Sequence, residues 1–105
     1  MALELNTTEP NGDVLVTARG EVDLGSAPQL REAILKGVKK AAQQVAVDLS
    51  GVAYMDSSGV ATLVEGLKAC REPGKAFVVV APSASVMKVL QLSRLDSVFT
   101  IKESL

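Results

Sequence analysis

Two short apolar runs limit what this chain can fold into. VAVDL, Val45–Leu49, and AFVVVA, Ala76–Ala81, are near-continuous in apolar residues and rich in valine. That pattern belongs to strands covered on both faces, as in a parallel sheet flanked by helices. Between them Val60, Leu63, Val64 and Leu67 recur at helical spacing. Parallel neighbours require such a crossover, and it is right-handed in nearly all sheets. A β-α-β unit is therefore the nucleus of the expected fold.

The same reading extends in both directions. Leu3–Thr8 and Val14–Ala18 are strand-like, and Pro10, Asn11 and Gly12 between them supply hairpin turn chemistry. GEVDLGSAP then makes a polar connection, with Ser26 as candidate cap and Pro28 in a first helical turn. Leu30, Ala33, Ile34, Gly37, Val38 and Ala41 form an amphipathic stripe to about Ala42. Ser50–Asp56 reads as a loop, and the second helix stops at Glu72 before Pro73 and Gly74. PSAS opens a third helix bearing Val86, Val89 and Leu90, with Ser83 and Ser85 as caps, and Val98–Ile101 is the last strand. The order β-β-α-β-α-β-α-β is that of one α/β domain with an antiparallel hairpin and later parallel strands. The loops Gly20–Ser26, Ser50–Ser57 and Ala81–Ser85 should then leave one edge of the sheet, where such folds keep their sites. Asp23 and Asp56, distant in sequence, are expected on one surface.

Composition narrows the function. A chain of 105 residues can bury roughly 60–70% of its unfolded surface as one domain. Aromatics are only 3% against 48% hydrophobic residues, so the core is aliphatic. No apolar run approaches the ~20 residues of a membrane span, and MALELNTTEP has no signal-peptide pattern. A soluble cytoplasmic protein without membrane insertion is expected. The single cysteine, Cys70, suits a reducing compartment and reads as packing. Met87 reads as core filler, and Tyr54 and Met55 as rim or core contacts. Net charge is -1, and the only basic cluster, Lys36, Lys39 and Lys40, lies on a helix as a solvated face, which disfavours direct nucleic-acid binding. Without histidine there is no Ser-His catalysis and no ordinary zinc site. DSSG is not a nucleophile elbow, and neither a Walker lysine nor GxGxxG is present. A Ser–Lys pair would need Lys75 or Lys88 to reach Ser57. The reading is a non-enzyme with no cofactor and no metal.

What remains is MDSSG, Met55–Gly59, where an apolar run meets a helix. Asp56 or Ser57 caps that helix, its acidic group favours the positive end of the dipole, and Gly59 permits a tight entry. Capping uses one polar side chain of three. A phosphorylation switch accounts for the others: phosphate on Ser57 adds roughly 1.5 to 2 negative charges. Helix N–H groups can hold that group, so the fold should survive. A partner docking there would meet the new charge beside Asp56 and Asp23, and like charges at an interface cost on the order of several kcal/mol.

GEVD (Gly20–Asp23), VAVDLSGVAYMDSSGV (Val45–Val60), KAFVVVAPSASVMKVL (Lys75–Leu90) and LDSVFTI (Leu95–Ile101) together resemble the STAS domain family, with bacterial anti-sigma factor antagonists the nearest group. The resemblance implies a single-domain fold with a mixed sheet of about four to five strands, an N-terminal β-hairpin and about three to four packed helices. It also implies a mechanism. Unphosphorylated antagonists bind an anti-sigma factor that is also a serine protein kinase, and so free a sigma factor. The kinase phosphorylates the first serine of D-S-S/T-G, here Ser57, and a serine phosphatase reverses it. Asp23 and Asp56 match acidic positions beside the kinase-binding surface, and Ser58 and Gly59 complete the motif. STAS domains also serve as cytosolic subunits of lipid-transporting ABC permeases. In that alternative the partners are a permease and its ATPase, and the same residues form a contact surface.

Overall fold

The computed structural model describes residues 2–105. Among them the chain forms β1 (Leu3–Thr8), a 3-10 turn (Pro10–Gly12), β2 (Val14–Val22), α1 (Ala27–Lys40), β3 (Gln44–Met55), α2 (Ser57–Arg71), β4 (Ala76–Val80), α3 (Ala84–Leu92) and β5 (Thr100–Lys102). The strands lie in the order β1-β2-β3-β4-β5. β1 and β2 are antiparallel, and every later pair is parallel, as the hairpin and the helical crossovers dictate.

Alternation along the strands sorts side chains between two faces. Val14, Val16, Val45, Val47, Leu49, Phe77 and Val79 belong to the main core, with Leu30, Ile34 and Val38 of α1, Leu63 of α2 and Val86 and Leu90 of α3. Ala46, Val78 and Val80 form a smaller buried cluster with Leu15 and Ala81 packed against it. Both apolar runs are thus buried on both faces. Phe99 packs on Phe77, ring centroids 6.2 Å apart, and anchors the chain before β5. The last strand accordingly starts at Thr100, later than the expected Val98.

The largest departure is the length of β3. Ser50–Asp56, expected as a loop, continues the strand to Met55, with Val52 and Met55 buried. The partner is the reason: β2 also runs past Ala18, pairing Arg19 with Gly51 and Val22 with Met55 across two register shifts. Polar and glycine residues at such bulges read as loop in isolation and become strand only when a neighbour supplies hydrogen bonds. Gly20, at φ +117, is needed there, since a Cβ would stand 2.3 Å from the Ala2 carbonyl oxygen.

α2 differs in which face it buries. Val60 and Leu63 are buried as expected, but Val64 and Leu67 are only partly so. Gly59, Thr62, Gly66 and Cys70 complete the inward face. Small residues carry no hydrophobic signal, yet they set how closely the helix approaches the sheet.

Candidate functional site

The ends of β2 and β3 stand side by side. Val22 pairs with Met55, and the Asp56 N–H donates to the Val22 carbonyl at 3.1 Å. Asp23 and Asp56, the next residues on each strand, are thereby brought to one tip, as the strand-helix order requires. Each begins a junction into a helix.

At the first junction Asp23 Oδ1 accepts the N–H groups of Gly25 and Ser26, both at 3.0 Å. Ser26 is 7% exposed. Its Oγ accepts the Asp23 N–H at 3.0 Å and donates to the Glu21 carbonyl at 2.8 Å. Ser26 makes no side-chain cap on α1, contrary to expectation. Its hydroxyl is drawn back into the turn, and the acidic residue three positions earlier organises the entry.

At the second junction Asp56 is the N-cap, and its side chain accepts the Ser58 N–H at 2.9 Å and the Ser58 hydroxyl. The backbone N–H of Leu24, from the first junction, also favours the ionised form of this carboxylate. The Ser58 hydroxyl foremost, then the N–H groups of Ser58, Gly59 and Leu24, hold the Asp56 carboxyl below the usual carboxylate range, with desolvation opposing. Gly59 is buried: a Cβ there would lie 2.5 Å from Met55 Cγ and 2.8 Å from Val22 Cγ1. Its absence lets α2 begin directly on the strand ends.

Ser57 is exposed, and its hydroxyl has no hydrogen-bond partner among the described residues. The expectation that first-turn N–H groups could receive a phosphate needs adjustment. Asp56 already takes the Ser58 N–H through its side chain, and its carbonyl accepts from Gly59 at 3.1 Å and Val60 at 3.2 Å. These bonds engage the N–H groups of Ser58, Gly59 and Val60, so the N–H of Ser57 is the donor of the turn left for an anion on its own side chain.

Other expected contributors lie elsewhere. β4 ends at Val80 opposite Asp48, well short of Met55, so the Ala81–Ser85 loop does not share the tip. Ser83 packs along the middle of β3, its Oγ donating to the Val52 carbonyl at 2.6 Å while capping the Val86 N–H. Ser85 is exposed and makes no cap. Lys75 precedes β4, at the opposite end of the sheet from Ser57, and its Nζ donates to the Val38 carbonyl. Cys70 is buried, and burial pushes its thiol up against the opposing charge of Lys75.

Two large side chains at the tip are exposed, of which only Tyr54 is expected from the sequence as a rim or core contact. Leu24, in the Asp23 turn, is 80% exposed, and Tyr54, opposite Glu21 in register, is 50% exposed. Leu24 drew no notice in sequence because an isolated leucine in a polar connection has no periodic partner; only its exposure beside Asp56 marks it.

A hairpin-led mixed sheet with helices between its parallel strands defines an α/β domain of the STAS fold. The STAS domain family model matches residues 4–105, and the chain belongs to that family. It is 26% identical over 103 residues to the anti-sigma-B factor antagonist of Staphylococcus aureus, covering 98% of this chain and 95% of that one. An anti-sigma factor antagonist from Mycobacterium paratuberculosis superposes with a TM-score of 0.88 at 26% identity, over 99% of this chain and 88% of that one. The fold also matches the unphosphorylated form of the anti-sigma factor antagonist SpoIIAA, with a TM-score of 0.79 at 22% identity, over 93% and 87% of the two chains. Anti-sigma factor antagonists are non-enzymatic regulatory proteins, in agreement with the non-enzymatic reading. No helix of the described residues is long and apolar enough to cross a membrane.

Proposed function

We propose that the chain is an anti-sigma factor antagonist acting in the cytoplasm. Unphosphorylated, it binds an anti-sigma serine kinase through the tip formed by Asp23, Asp56, Ser57, Ser58 and Gly59, and phosphorylation of Ser57 ends the complex. The observation that carries this reading is the free, exposed Ser57 hydroxyl on a tip that also presents Leu24 and Tyr54. In the transfer, Ser57 Oγ bonds to the γ-phosphorus of kinase-bound ATP and the β–γ phosphoanhydride bond breaks. ADP leaves, and the hydroxyl proton passes to a base on the kinase. A serine phosphatase returns the hydroxyl by hydrolysis, releasing inorganic phosphate.

The charge acts at the interface and leaves the fold alone, because Ser57 supports nothing inside the domain. Ser57→Asp is expected to weaken binding to the kinase roughly 100-fold or more, with the melting temperature unchanged within a few degrees. Ser57→Ala is expected to bind constitutively. Calorimetric titration of both variants, with phosphosite mapping, tests this. Label on a different residue, or tight binding by Ser57→Asp, would defeat it. Copurification with a polytopic permease and an ATPase would favour the transporter-subunit alternative.

A further inference from the structure

DSSG offers two adjacent hydroxyls, and the fold treats them differently. Ser57 is exposed and unengaged among the described residues, whereas Ser58 is half-buried. The Ser58 hydroxyl and N–H both donate to Asp56 Oδ1, and its carbonyl accepts from Thr62 Oγ1 at 3.0 Å. Thr62 is itself buried. Ser58 is therefore held through side chain and backbone at once.

We infer that Asp56 is a positioning residue that selects the phosphoacceptor: by holding the Ser58 hydroxyl in the junction, it leaves Ser57 Oγ as the one nucleophile of the pair that a kinase can take. This rests on the phosphoswitch reading above. The attacking oxygen must turn outward, align with the γ-phosphorus and surrender its proton to the kinase as ADP departs. Ser57 Oγ can do so by rotation about χ1 alone. Ser58 Oγ must first break a hydrogen bond to an ionised acceptor, roughly twice as strong as a neutral one. The same donors favour the ionised Asp56 carboxylate, so it remains an acceptor for the Ser58 hydroxyl.

The test uses the full chain, ATP and the anti-sigma serine kinase of the same organism, with the phosphate located by fragmentation mass spectrometry. Wild type and Asp56→Asn, whose amide oxygen still accepts, are expected to carry phosphate on Ser57 only. Asp56→Ala is expected to raise the share on Ser58 at least tenfold and to yield a doubly modified form. An Asp56→Ala protein still labelled on Ser57 alone, or a wild type labelled on Ser58, overturns the inference while leaving a phosphoswitch standing. A wild type that takes no phosphate overturns the switch and the inference together. If Asp56→Ala is a poor substrate, NMR decides through the Ser58 χ1 couplings and hydroxyl exchange. A rotamer fixed in wild type and averaged in Asp56→Ala sustains the inference, and one fixed in both overturns it.

Discussion

The two strand-to-helix junctions are built on the same device and end in opposite states. Asp23 and Asp56 each follow paired strand residues, and each gathers N–H groups from the turn after it. At the Asp23 junction the serine is buried and bonded in both directions, while a leucine is left outside. At the Asp56 junction the second serine is tied down and the first is left outside. An acidic cap thus frees the tip's exposed side chains from structural duty. One is apolar and suited to contact; the other is a hydroxyl suited to modification.

The largest test of this contrast places the same charge at both serines. Ser26→Asp puts a carboxylate into a buried turn already holding Asp23 and should lower stability by about 3–5 kcal/mol in denaturant titration. Ser57→Asp should leave the denaturation midpoint where it is. Equal midpoints for the two variants would abolish the distinction. Next, Gly59→Val forces a side chain into Met55 and Val22 and should cost about 1–3 kcal/mol. Since α2 could begin on the strand ends only by shifting, kinase phosphorylation of Ser57 should slow as well, and an unchanged rate would show the junction to be looser than drawn.

Leu24→Ser sharpens the comparison from the other side. So exposed a leucine loses little on truncation, so stability should hold within about 0.5 kcal/mol, while affinity for the kinase should fall roughly tenfold, a loss above 1 kcal/mol. Full affinity would remove Leu24 from the docking surface. The smallest effect is expected from pH. The carboxyl of Asp56 titrates lower in the folded chain than in the unfolded one, so its contribution is present above the unfolded value and lost as pH falls through the folded value. Unfolding free energies measured from about pH 5 down to about pH 2 should fall less steeply in Asp56→Asn than in wild type. Parallel curves would mean that the carboxylate is not held as described.

Much of this was legible in the residues. The apolar runs Val45–Leu49 and Ala76–Ala81, the Pro10–Gly12 turn and the α1 stripe carry their periodicity and turn chemistry locally, so the element order could be read directly. DSSG was legible for the same reason, as a polar break at a helix start. Ser50–Tyr54 was not, because its strand state depends on β2 running alongside it while β3 itself carries the extra residue at each bulge. Ser26 misled because a hydroxyl before a helix satisfies the cap pattern whether or not it points at the helix, and here its oxygen accepts the Asp23 N–H instead while its proton goes to the Glu21 carbonyl. The Ala81–Ser85 loop leaves the same edge as expected, but chain order does not say how far each strand extends, and β3 runs on past it to Met55.

Sequence by itself determined that this chain would be a small α/β domain with an aliphatic core and a polar helix start at Asp56, because hydrophobic period and turn preference are properties of neighbouring residues. Tertiary structure alone decided that β2 and β3 run on together to a shared tip, that Ser26 turns inward, and that Ser57 stands free while Ser58 does not. Those outcomes depend on which donors and acceptors from distant segments arrive within hydrogen-bonding distance, and no local pattern encodes that.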